Sequence, residues 1–312
     1  MVLSNQALVV KVVCTHLSST LKHAIFVSSF DELFVDRVIT LERIKMALEL
    51  TIKSDDIRLL CDRVEAAQEG AYAIHKLTDD YPSMTIDDGY AVQAELRQRY
   101  LAKGHRLAGW KAGLTSKAKM EQMGVHVPSI GFLTDKMART ETVGIKTSEM
   151  VHPRVECEVA FMTKKDLQGP DCTLQDVLDA TDYVLPAVEI IDSRFSGFKF
   201  DLASVVADNG SSARYVTGKV RLNPKDLDLT KVGVVMKKNG EVDASGESSA
   251  VLGHPAEAIA MLVNILAEQD EMLPAGSFVM SGGITEAIPV QAGDAITAEF
   301  QILGQVSMTF VA

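Results

Sequence analysis

His152-Pro153-Arg154-Val155-Glu156-Cys157-Glu158-Val159-Ala160-Phe161 is the stretch that decides how this chain is read. Its alternation is that of a β-strand, in which successive side chains point to opposite faces. Glu156 and Glu158 then share one face, and Cys157, Val159 and Phe161 the other. Two carboxylates side by side repel unless water, a base or a cation lies between them. Taken alone, the pair fits the solvated face of a half-buried strand. A second stretch, Val184-Leu185-Pro186-Ala187-Val188-Glu189-Ile190-Ile191, carries a lone acid deep in an apolar run. A buried carboxylate is costly without a partner, so Glu189 signals a ligand or an ion pair, for instance to Arg194 or Arg154. Should the two strands lie side by side, Glu156, Glu158 and Glu189 converge. Oxygen ligands with room left for water and substrate suit Mg²⁺, or Mn²⁺, rather than zinc.

Outward from these strands the pattern is mixed. Ile57, Leu60, Val64, Ala67, Ala71 and Ile74 recur at helical steps, with Ser54 as expected N-cap. A second helix is predicted from Thr85, where Thr85 and Asp88 form a capping-box pattern, to Gly104, with a turn at Tyr81-Pro82-Ser83 between the two. Strands are predicted over 106–111, 155–162, 183–191, 277–281, 295–302 and 306–311. A hairpin over 232–242 turns at Asn239-Gly240. Residues 173–180, capped by Thr173, and 255–269 read as helices, and a short helix closed by Gly124 follows Ser116. There is no regular strand–helix–strand rhythm, so the class is α+β rather than a doubly wound sheet. Residues 1–45 lack this patterning and are expected to be an extension outside the function, with Met46 as the natural beginning. Residues 46–125 are expected to form a small helical N-terminal subdomain contributing Lys111, and 126–312 a β-rich metal-binding domain.

Composition narrows the function. The 312 residues carry a formal net charge of -11 without a basic run, which argues against a nucleic-acid partner. No apolar run reads as a membrane span, and the run 7–14 is broken by Lys11, so no membrane role is expected. The four cysteines, Cys14, Cys61, Cys157 and Cys172, lack C-x-x-C spacing and read as free thiols of a cytoplasmic protein.

Three further clusters carry chemistry. Lys111, in Gly109-Trp110-Lys111-Ala112-Gly113-Leu114-Thr115-Ser116, ends a strand among small and apolar residues, a setting that can fit an amine for proton transfer. Asp208, Asn209, Ser211 and Ser212 follow an apolar stretch, as a carboxylate-binding cluster or a plain turn. Ser281-Gly282-Gly283-Ile284-Thr285 is too short for a phosphate or dinucleotide loop. His152 and His254 read as structural histidines.

In order along the chain stand G-x-K-x-G-L-T-S, E-x-E, P-A-V-E-I-I-D-S-R, A-D-N-x-S-S, L-G-H-P and G-G-I-T. Together they resemble the fumarylacetoacetate hydrolase superfamily, and within it the branch of 2-oxo-acid decarboxylases and hydratases that degrade aromatic compounds by meta-cleavage. The likeness runs from about Ile74 to the C-terminus. It implies a mixed β-roll core, Glu156, Glu158 and Glu189 as metal ligands, and Lys111 as the active-site lysine. It also implies a homo-oligomer and a complex with the pathway hydratase. Hydratases of the branch carry an acid in a P-D-F-G segment, where this chain has Pro128-Ser129-Ile130-Gly131. The resemblance therefore favours decarboxylation of 2-oxohex-3-enedioate, a small dicarboxylic 2-oxo acid, to 2-hydroxypenta-2,4-dienoate and CO₂. Hydration of that dienol and an inactive scaffold subunit are the alternatives. Arg194, Asp208, Asn209, Ser211, Ser212 and Thr285 are the candidate substrate contacts, and Phe132, Leu133 and Phe198 the candidate apolar wall.

Overall fold

The computed structural model describes residues 50–116, 120 and 128–312, and residues 51–312 form one compact unit. The expected extension 1–45, Cys14 and the greater part of the helix expected after Ser116 lie outside the described residues. Helices α1 (Ser54–Gly70), α2 (Leu77–Asp80) and α3 (Ile86–Ala102) come first. Lys53, not Ser54, is the N-cap of α1, and it makes no side-chain cap. That helix stops at Gly70 because Ala71 turns left-handed, leaving Ile74 beyond it to bridge Phe195. The capping box at α3 forms as predicted, Thr85 and Asp88 each satisfying the other's backbone N–H.

The strands are β1 (Leu107–Gly113), β2 (Ser129–Thr134), β3 (Ala138–Arg139), β4 (Ile145–Lys146) and β5 (Pro153–Thr163). After α4 (Leu174–Ala180), capped by Thr173, come β6 (Thr181–Asp192), α5 (Leu202–Ala207) and β7 (Ser212–Thr217). The hairpin β8 (Gly233–Lys238) and β9 (Glu241–Glu247) turns through Asn239 and Gly240, both at positive φ, as an Asn-Gly turn requires. Helix α6 (Pro255–Glu268), β10 (Phe278–Met280), β11 (Ile288–Pro289), β12 (Ala295–Phe300) and β13 (Gly304–Val311) complete the chain. The stretch Ser248–Glu268 is, against expectation, long and apolar enough to cross a membrane. Its apolarity has a core explanation: eight residues of α6, from Pro255 to Leu266, are buried in the protein.

Two sheets result. One runs β2-β1-β10-β5-β6-β7-β3, with β11 also paired to β5; the other runs β4-β13-β12-β8-β9. The first is curled. Strands β10 and β7 are three places apart, about 14 Å if flat, yet the rings of Tyr215 and Phe278 stack at 4.9 Å. Strand β1, bearing Lys111, is an interior strand of this sheet, parallel to β10 and antiparallel to β2. Helix α3 packs behind it, and Gln93 Nε2 donates to both Ile130 O of β2 and Val206 O of α5. One side chain thus ties the helical layer to two elements that border the site.

Candidate metal centre and reaction site

Register places the acids. Strands β5 and β6 are antiparallel with Glu156 opposite Glu189 and Glu158 opposite Ala187. All three carboxylates therefore stand on the concave face, and their ligand atoms lie within 4.8 Å of one another. Glu158 and Glu189 have no exposed surface and Glu156 is 7% exposed. The solvated-face reading of the E-x-E pair is excluded by that burial. Glu158 Oε2 accepts the Gly282 N–H at 2.6 Å, while Glu158 Oε1 and both Glu189 oxygens lack a hydrogen-bond partner. Burial first, and the charge of Glu189 next, push Glu158 well above the ordinary carboxylate range. Burial likewise raises Glu189, with Lys111 opposing it. Three crowded carboxylates in a dry site, with Glu158 and Glu189 keeping oxygens that no hydrogen bond satisfies, fit one hard divalent cation, which would satisfy those oxygens and offset the repulsion.

Lys111 is 4% exposed, and its Nζ sits 3.3 Å from Glu189 Oε2 and 3.1 Å from the Gly210 carbonyl oxygen. Glu189 is thus paired with Lys111 rather than with either arginine expected. The glycines around this lysine are there for space. A Cβ on Gly131 would lie 3.1 Å from Lys111 Cδ and 2.9 Å from Asn209 O. The loop after β10 also acquires a role that its sequence did not disclose. Gly282, at φ +107, abuts Thr115 and offers its N–H to Glu158, and a Cβ on Gly283 would meet the Glu156 carboxyl at 2.9 Å.

The polar candidates divide by their partners. Arg194 and Asp208 are buried and grip each other: the guanidinium donates to Asp208 Oδ1 and to its backbone carbonyl. Burial lifts the Asp208 carboxyl to about 6 against the pull of Arg194. Asn209 clamps β2 through both the N–H and the carbonyl of Phe132, and Thr285 Oγ1 accepts the Cys157 N–H. These four side chains are engaged by the protein itself. Ser211 and Ser212 keep buried hydroxyls without partners. Phe132 pairs with Trp110, off the Lys111 row, and packs edge-on against Tyr100, so it belongs to the helix-facing side of the sheet rather than to the apolar wall. His152 contacts Ser193 O and the edge of Phe198, and His254 caps α6, which fits the structural reading of both.

Arg154 was visible in the sequence only as a partner for Glu189. It stands two residues before Glu156 on the same strand, hence on the same face. Its guanidinium lies 4.1 Å from the centroid of Phe198, whose left-handed backbone (φ 59) holds the ring there. It makes no ion pair among the described residues. Alternation along the strand was the signal that could have found it.

Comparison with known proteins follows the same lines. The family described as fumarylacetoacetate (FAA) hydrolase C-terminal matches residues 110–311. A 4-oxalocrotonate decarboxylase of Pseudomonas sp. (strain CF600) is 51% identical over 261 residues, 84% of this chain and 99% of that protein. A 2-hydroxyhexa-2,4-dienoate hydratase of Comamonas testosteroni is 40% identical over 250 residues, 80% of this chain and 95% of its own. The structure of 4-oxalocrotonate decarboxylase from Pseudomonas putida G7, complexed with magnesium and adipate, superposes with a TM-score of 0.82 at 48% identity. It covers 84% of this chain and 100% of that one.

Proposed function

This chain belongs to the fumarylacetoacetate hydrolase family, and from that membership we propose that it is a carboxy-lyase converting 2-oxohex-3-enedioate to 2-hydroxypenta-2,4-dienoate and CO₂ in meta-cleavage degradation of aromatic compounds. The carrying observation is the buried Glu156, Glu158 and Glu189 trio facing Lys111, in a chain half identical to a decarboxylase of this substrate class. Mg²⁺ is the cation these carboxylates would hold, and when bound it supplies a Lewis acid for negative charge developing on the 2-oxo group.

The chain's own residues do the rest. The C5–C6 bond breaks, CO₂ leaves, and the electron pair spreads through C4 and C3 to the C2 oxygen. Lys111, held between Glu189 and Gly210, gives that oxygen a proton and recovers one from water. Arg154, fixed over Phe198, holds the C1 carboxylate that stays on the product. A cation on the departing carboxylate would instead stabilise the ground state and slow the reaction. Leu133 and Phe198 supply apolar wall, and the unpartnered hydroxyl of Ser211 is the remaining polar contact. Arg194 and Asp208 brace the segment 208–212, and Asn209 and Thr285 hold β2 and β5 in place.

With this reading go a cytoplasmic enzyme, which the buried free thiols of Cys61, Cys157 and Cys172 support, and a reaction that does not need residues 1–45. A homo-oligomer that hands its dienol directly to a partner hydratase also goes with it, since a free dienol reverts to the ketone in water. Purified protein given 2-oxohex-3-enedioate should release CO₂ and form dienol with Mg²⁺, and do neither with chelator. No CO₂, together with consumption of 2-hydroxypenta-2,4-dienoate supplied alone, would make it the hydratase.

A further inference from the structure

On the outer side of the same sheet, a cleft of about 440 Å³ lies between β7, β3 and the C-terminal ends of α1 and α3. Its walls bring Lys103, Lys136, Arg139, Arg194 and Arg214 together against only Glu69, Glu149 and Asp192, a positive excess in a chain of net charge -11. The acids are already committed. Glu69 takes Lys103, Glu149 is shared between Lys146 and Arg214, and Asp192 accepts the N–H groups of Val151 and His152. Arg139 has no such partner: its guanidinium donates to the carbonyls of Lys136 and Ala138, and neither it nor Lys136 forms an ion pair among the described residues. Strand β3 runs parallel to β7 with Arg139 opposite Val216, which makes Arg139 and Arg214 diagonal neighbours on one face. Burial first, and the charge of Arg214 next, hold the Arg139 pKa below its ordinary value, with the charge of Glu149 opposing them. The hydroxyl of Ser212 also lines the cleft, buried and without a hydrogen-bond partner.

We propose that this cleft binds a small oxyanion, a phosphate or carboxylate group, held by Arg139, Arg214 and Lys136 with Ser212 as a further donor. Paired guanidinium groups suit such an anion because each offers two parallel N–H donors. The site is distinct from the metal centre. Arg214 pairs with Ile190, while its neighbour Tyr215 pairs with Glu189, so the two sites occupy opposite faces of β6 and β7. They share the segment 208–212: on one side Asp208 braces Arg194 of the cleft, and on the other Gly210 receives Lys111. An anion in the cleft therefore bears on the segment that seats the lysine.

The test is calorimetric titration of inorganic phosphate, and separately of succinate, into the full-length chain kept in EDTA so that no divalent metal recruits the anion to the glutamates. At least one of the two should bind saturably at one site per chain, and which one binds identifies the ligand as phosphate or carboxylate. Affinity should fall about tenfold or more in Arg139→Gln and in Lys136→Gln, and stay unchanged in Glu158→Gln. A wild-type circular dichroism spectrum and retained Mg²⁺ binding would show that the cleft variants are folded. Absence of saturable binding by either anion, or wild-type affinity in both cleft variants, would overturn the proposal, as would loss confined to Glu158→Gln.

Discussion

At the scale of single residues the site is a matter of charge kept out of water. Glu158 and Glu189 are without exposed surface and their orphaned oxygens define what must come to them. Replacing Lys111 with Met should lower kcat by a factor of roughly 10² or more while Mg²⁺ binding measured by calorimetry persists. Loss of both together would mean that the lysine only maintains the fold. Replacing Arg154 with Gln should raise KM with a smaller change in kcat, because the C1 carboxylate is held alike in ground and transition states. An unchanged KM would remove Arg154 from the site. The pH dependence has a definite sign. With folded values raised above the ordinary 4.5, these carboxyls contribute stability that is present below that value and is lost as pH rises through the folded range. Mg²⁺ needs them ionised, so its affinity should climb as pH rises through that raised range; a flat profile in calorimetry would contradict that coupling.

At the scale of elements, the site depends on backbone that no side-chain pattern reveals. Gly282→Ala would put a Cβ 2.0 Å from Thr115 Oγ1 at a positive φ and draw its N–H away from Glu158. Such outer contacts are worth roughly 10- to 100-fold in metal affinity, so calorimetry on a folded Gly282→Ala chain should show a loss of that size. Wild-type affinity would deny the loop its role. The same contrast explains what the sequence disclosed. Strands β5 and β6 were legible because each is long, apolar and interrupted by acids in phase, and the caps at Thr85 and Thr173 because both members of each box are three residues apart. Strands β2 and β7 went unread. Every residue of β2 is buried, so it lacks alternation, and β7 begins inside a polar cluster that reads as a turn. The Arg194–Asp208 grip spans 14 positions through a helix, and a one-dimensional pattern does not show which cation an acid will choose.

At the scale of the whole molecule, the curled sheet does what the sequence could only suggest. It brings Lys111 of β1 across β10 to Glu156, Glu158 and Glu189 of β5 and β6, although 45 residues separate the lysine from the first acid and 78 from the last, as their positions 111, 156 and 189 show. Closing such non-local pairings leaves like charges packed together, and a bound cation offsets that cost by mass action. The most direct test is calorimetric titration of Mg²⁺ into the wild-type chain and into Glu158→Gln, with circular dichroism to confirm the fold. We expect one site per chain in the wild type, and affinity at least about tenfold weaker in the folded variant. Equal affinity in the two would contradict it, and with it the assignment of the metal to Glu156, Glu158 and Glu189.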